Sequence, residues 1–157
     1  MVQTEATDDA ESKVLADISK YGWHCVNILA EDDAVPYSFT VGLYQSYGHP
    51  ELIIFGLKSE VAHKILCNAT AGLPGERLDL SLPTDALAEG YPCCFADVAK
   101  SQYYEFVGFA RWYYRGNDFP LYQIVWPSRE GRFPWHSKAS KEFKLAQPVI
   151  AHAPIGG

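Results

Sequence analysis

The stretch YSFTVGLYQSYGHPELIIFGL, residues 37–57, places a histidine and a carboxylate on either side of a proline. Proline disfavours the helical region for the residue before it, so His49 is expected to be extended. His49 and Glu51 would then leave an exposed hinge between two strands, one at each side of a rigid ring. Imidazole changes charge near neutral pH, and a neighbouring carboxylate raises its pKa by stabilising the cation. The pair has two readings. It is a catalytic acid–base pair, or His49 caps a turn while Glu51 is a solvated strand start.

A second group of candidates lies in the flanking strands. Tyr37, Phe39, Val41 and Leu43 alternate with Ser38, Thr40 and Gly42, so the small polar set shares one face, toward solvent or toward a ligand. Gln123 interrupts the otherwise apolar run LYQIVW. A buried amide needs partners, so Gln123 either bridges backbone groups or reads a ligand. Trp126 can stack on a flat ring or simply fill the core. Ser38, Thr40, Gly42, Gln123 and Trp126 are therefore the candidate ligand-binding residues. Thr40 and Gln123 would orient the ligand, His49 would supply a proton or polarise it, and Trp126 would stack.

Other residue types with chemical potential carry less pattern. His63 and Cys67 form an i, i+4 pair on a predicted helix, two metal-ligand types without a third, and a surface histidine is the plainer reading of His63. His24 shares a strand face with Val26 and Ile28 and reads as a satisfied core histidine. Cys25 and Cys67 sit in apolar stretches and Cys93 and Cys94 are adjacent, so the four cysteines are expected to be reduced, buried thiols, and no metal site is expected. GxSxG, HExxH, GxGxxG and GxxxxGK[ST] are all absent, which leaves motif-based hydrolase and nucleotide-binding assignments without support.

The elements that must position these residues follow from periodicity. Val14, Leu15 and Ile18 predict a helix over 10–20, ending at Gly22. WHCVNIL (23–29), YSFTVGL (37–43) and ELIIFGL (51–57) read as strands, the last covered on both sides. Val61, Ala62, Ile65, Leu66 and Ala69 predict a second helix starting near Ser59, a plausible N-cap. CCFADV (93–98), YYEFVGFARWYY (103–114) and LYQIVW (121–126) read as further strands, the second because aromatic residues and valine favour strand. The sum is α+β: a curled, mostly antiparallel, split-barrel-like sheet with two short helices. Residues 1–9 are expected to be a disordered acidic tail, 10–152 a single globular domain, and 153–157 a flexible C-terminus.

Bulk properties narrow the partners. The chain has 157 residues, 48% hydrophobic and 20% charged, enough for one real core. A formal charge of −6 without basic clusters argues against nucleic acid. No apolar run reaches spanning length and the N-terminus is acidic, so no membrane association and a cytoplasmic location are expected.

The blocks YGWHCVNI, PYSFTVGLYQSYGHPELIIFGL and QIVWPSREGRFPW resemble a bacterial family known as domain-of-unknown-function family 4262. The likeness runs from about Tyr21 to Trp135. The chain departs from the family pattern at Ser38-Phe39-Thr40 and at Ser128, where the family often has Asp. No activity comes with the resemblance. In layout, the small-residue strand, proline-bearing bend, apolar strand and helix are similar to the start of split-barrel flavin-binding domains. That likeness implies Ser38, Thr40 and Gly42 near a flavin phosphate, although basic residues are sparse there. Two functions follow as expectations: binding of a small planar ligand, with a flavin as a redox candidate, or a non-enzymatic module that neutralises a basic protein partner by electrostatic steering. Whether the protein is an enzyme is left open.

Overall fold

The computed structural model describes residues 1–152, so the expected flexible C-terminus, 153–157, lies outside the described residues. The first helix, α1 (Asp9–Tyr21), starts where the Asp8 side chain accepts a hydrogen bond from the Glu11 amide. It carries Asp9 and Glu11 in its first turn and Lys20 in its last, matching the helix dipole at both ends. Gly22 ends it with a φ of 92°, a left-handed conformation that costs glycine little. The stretch before α1 is tied down at Gln3, whose amide donates to the Tyr113 carbonyl at 2.8 Å.

Five strands follow: β1 (His24–Ile28), β2 (Tyr37–Val41), β3 (Glu51–Phe55), β4 (Cys94–Asp97) and β5 (Leu121–Val125). They form one curled sheet in the order β1-β2-β3-β5-β4. All neighbours are antiparallel except β3 and β5, which pair in parallel with Glu51 beside Leu121 and Ile53 beside Gln123. The protein is thus α+β with a mostly antiparallel sheet, as expected, and the sheet does not close into a barrel.

Both faces of the sheet are covered. Val26, Phe39, Val41, Ile53, Phe55 and Leu121 pack with Val14 of α1 on one face. Leu52, Ile54, Phe95 and Ile124 pack on the other against Ala62, Ile65, Leu66 and Ala69 of α3 (Ser59–Thr70). All five residues of β3 are buried, which explains its unbroken apolar run. Burying each such Leu or Ile contributes on the order of 1.5–3 kcal/mol.

The helical content exceeds the two helices expected, and each addition has a local cause. Residues 103–114 are helical, not a strand: α4 (Tyr103–Phe106) and α5 (Gly108–Tyr114). Tyr103, Val107, Ala110 and Tyr113 are the buried positions, a three-to-four spacing that sets one face on the core while Tyr104, Glu105 and Gly108 are exposed. That period outweighs the strand preference of aromatic side chains, which is a weaker, context-dependent effect. Between β2 and β3 the chain makes a short helix, α2 (Leu43–Tyr47), where a simple hinge was expected. Leu43 therefore leaves the face of Phe39 and Val41 and joins the opposite cluster. Near the end, α6 (Lys141–Ala146) is capped by the Ser140 side chain.

Candidate functional site

The short helix α2 has no side chain of its own to satisfy its first amides. Glu51, at the start of β3, does this from across the loop. Its carboxylate accepts hydrogen bonds from the amides of Gly42 (3.1 Å), Leu43 (3.2 Å) and Tyr44 (3.0 Å). It also accepts from Thr40 Oγ1 at 2.7 Å and from Tyr114 Oη. Thr40 Oγ1 in turn accepts from the Leu52 amide at 2.9 Å. Gly42 sits with φ 109°, and a Cβ there would stand 2.9 Å from Ile18 Cγ1 and 3.0 Å from the Gly22 carbonyl oxygen. Only glycine permits that turn of the chain.

Contrary to the expected exposed hinge, Glu51 and His49 are 0% and 2% exposed. The reason is α2, which folds the hinge inward and needs an anion at its N-terminus. Burial pushes the Glu51 carboxyl above the usual carboxylate range, while hydrogen bonds from Tyr114, Thr40 and the amides of Tyr44 and Leu43 oppose the shift. Burial and the adjacent Glu51 drive the Tyr114 hydroxyl far above an ordinary phenol, so Tyr114 remains a donor. His49 Nδ1 lies 2.7 Å from the Pro50 carbonyl oxygen, which makes that nitrogen the protonated one. Its Nε2 is buried without a partner among the described residues. Burial lowers the His49 pKa; the Pro50 bond works against this and the nearby Arg77 charge adds to it.

The small polar face of β2 is neither solvent nor a cavity wall open to water. Ser38 is buried and donates to Asn27 Oδ1 at 2.7 Å; Thr40 is buried and held by Glu51 and Leu52. Gln123, also fully buried, bridges backbone groups: Nε2 donates to the Pro148 carbonyl at 2.8 Å, and Oε1 accepts from Ile150 (2.9 Å) and Ala151 (3.2 Å). Thr40, Gly42 and Glu51 are thus brought together in one hydrogen-bonded node, with Tyr114 as a member that lies too far off in sequence to be seen there. Gln123 instead holds the segment after α6.

Trp126 faces an open groove. Its indole Nε1 donates to the Phe55 carbonyl at 2.8 Å, and Phe143 of α6 meets its ring edge-on at 5.2 Å between centroids. Gln147 locks its backbone from both sides, accepting from the Trp126 amide at 2.9 Å and donating to its carbonyl at 2.7 Å. The groove has a volume of about 600 Å³. Leu57, Val61, Ile65 and Tyr91 line it alongside Trp126 and Phe143, with Ser128, Arg129 and Glu130 at one side. Of the five ligand-binding candidates read from the sequence, only Trp126 lines this groove. Arg129 lies beside it. No ion pair among the described residues engages Arg129.

An open, mostly antiparallel sheet with helices on both faces defines an α+β domain, with an apolar groove beside a pinned tryptophan. The chain belongs to the family described as Domain of unknown function (DUF4262), whose model matches residues 17–140. That span contains β1 to β5 and the groove's Trp126-to-Glu130 side. No curated protein and no solved structure matches the chain. No helix among the described residues is long and apolar enough to cross a membrane.

Proposed function

We propose that the protein binds a small molecule with a flat, mostly apolar ring system and an anionic group, in the groove beside Trp126. The observation that carries this is the groove's construction: apolar side chains from β3's exit, α3, the 88–91 loop and α6 converge on an indole held at its ring nitrogen and both backbone groups. Apolar walls with a few polar groups at one side are the usual make-up of small-molecule sites. The fixed indole offers a ring contact with little loss of side-chain freedom. Arg129 supplies the charge complement at the rim. A flavin fits that description as a redox ligand, and a cytoplasmic setting would supply it. Thr40, Gly42 and Glu51 serve as framework in this assignment, since their polar atoms are engaged with one another.

The test is a titration of the purified protein with 1-anilinonaphthalene-8-sulfonate and with riboflavin 5′-phosphate, followed by tryptophan quenching and ligand fluorescence. Saturable binding of at least one probe is expected. Val61→Glu, an exposed groove position, should weaken it about tenfold or more by placing an anion in the wall. Arg129→Gln should weaken riboflavin 5′-phosphate more than uncharged riboflavin. Absence of saturation with both probes, or binding indifferent to Val61→Glu, overturns the assignment. The net charge of −6 supports a second reading, an interaction module that attracts a basic protein. Co-purification of such a partner, disrupted by salt and unaffected by Val61→Glu, would favour it.

A further inference from the structure

The Trp126 groove does not end at Ile65. A neighbouring cavity of about 400 Å³ shares Val61, Ile65 and Ala88 with it and continues to Lys64, Asn68, Asp85 and Glu89. Val61, Ile65 and Asn68 stand at i, i+4 and i+7 on α3, so one side of this trough is a single row of the helix, about 10 Å long. The loop 84–93 supplies the other side, with Tyr91 beside Trp126 and Asp85 and Glu89 farther along.

That loop is fixed before any ligand arrives. Thr84 and Cys93 exchange both backbone hydrogen bonds at 2.8 Å and close its base. Leu87, 2% exposed, packs in the core cluster of Ala62 and Leu66, and Asn68 Nδ2 donates to the Leu87 carbonyl at 2.9 Å. A wall pinned at its base and its middle needs little ordering when the trough is filled.

The two ends of the trough differ in chemistry. Around Trp126 the lining is mostly apolar. Past Ile65 it brings an ammonium, two carboxylates and an amide, from Lys64, Asp85, Glu89 and Asn68. No ion pair among the described residues engages Lys64, Asp85 or Glu89. Asn68 turns its NH₂ group to the loop, which leaves its Oδ1 as an acceptor. A phosphate arm would meet two carboxylates here, and an ammonium arm would meet Lys64. A hydroxyl donates to the carboxylates and accepts from the ammonium, so a run of hydroxyls matches the whole set.

Resting on the assignment of a flat ring to the Trp126 groove, we infer that the same ligand carries a polyhydroxyl arm, a sugar or an alditol, seated between α3 and the 84–93 loop on Lys64, Asp85 and Glu89. The ligand class is a flat ring joined to a sugar or sugar alcohol, and the arm cavity sets the specificity.

Two pairs of probes that differ in the arm test this on the purified protein: riboflavin against lumiflavin, and 4-methylumbelliferyl glucoside against 4-methylumbelliferone. Ring fluorescence reads binding of all of them. In at least one pair the member with the arm should bind about tenfold more tightly. Lys64→Ala, and Asp85→Ala combined with Glu89→Ala, should each abolish that preference and leave affinity for the bare ring unchanged. All three residues are exposed, so these variants should fold, as circular dichroism would report. Equal affinity within both pairs overturns the inference and leaves the groove assignment standing, and so does a preference that survives either variant. Failure of every probe to bind removes the groove assignment and the arm with it.

Discussion

A single buried carboxylate organises more of this protein than any other side chain. Glu51 accepts five hydrogen bonds, three of them from backbone amides that have no alternative partner in the first turn of α2. A carboxylate presents only acceptors, whereas an amide of the same shape presents a donor on one side. Glu51→Gln would therefore turn an NH₂ group toward some of those amides. We expect it to lower stability by about 3 kcal/mol or more, because buried donors lose their partners and charge-assisted bonds are lost together. Tyr114→Phe removes one of the five and should cost less, about 1–3 kcal/mol. Urea denaturation of the three proteins measures both. An unchanged midpoint for Glu51→Gln would show that Glu51 is dispensable to the turn, and would reopen a role for it outside the framework.

At the level of elements, the sheet was legible in the sequence because its signal is local. Alternation marks β2, the apolar run marks β3, and Gly22 marks the end of α1. Residues 103–114 are helical against the strand preference of their aromatic side chains because the buried set 103, 107, 110, 113 recurs at helical period, and spacing outweighs residue type. α2 escaped because its cap, Glu51, comes from the next strand, and no local pattern announces a cap supplied from a distance. Gln123 shows the same limit. Its burial was readable, but its partners at 148, 150 and 151 lie beyond α6, in a segment with no periodic signal of its own. The segment is held as a strap by that amide, by Gln147 at its start and by the His152 amide, which donates to the Asp97 carbonyl at 3.1 Å. Gln123→Leu keeps the volume and removes three bonds. The Ile150 and Ala151 amides should then exchange with solvent about tenfold faster or more, while β3 and β5 amides stay protected. Uniform loss of protection across the sheet would mean the strap is part of the global fold.

For the molecule as a whole, the buried titratable groups set a stability window bounded on both sides. His49 has a pKa lowered by burial below its ordinary 6.5, so above that value the folded and unfolded chains are alike in leaving it neutral. As pH falls below 6.5 the unfolded chain takes up a proton that the folded chain resists, and stability declines. Glu51 acts in the opposite sense, since burial raises its pKa and the folded chain then holds a proton that the unfolded chain releases. The difference between wild type and His49→Gln isolates the imidazole: the variant's denaturation midpoint should fall less steeply between pH 6.5 and 5. At the alkaline end, burial pushes Cys93 up to about 11 and Cys94 and Cys25 up to about 12, against an ordinary value of 9.0. Those thiols contribute stability that is complete below pH 9, because neither state ionises there. Above pH 9 the unfolded chain loses protons that the folded chain retains, so stability is lost progressively toward pH 11–12. Urea midpoints should fall above about pH 9 as these thiols ionise in the unfolded chain, while the acid side is set by the balance of His49 against Glu51.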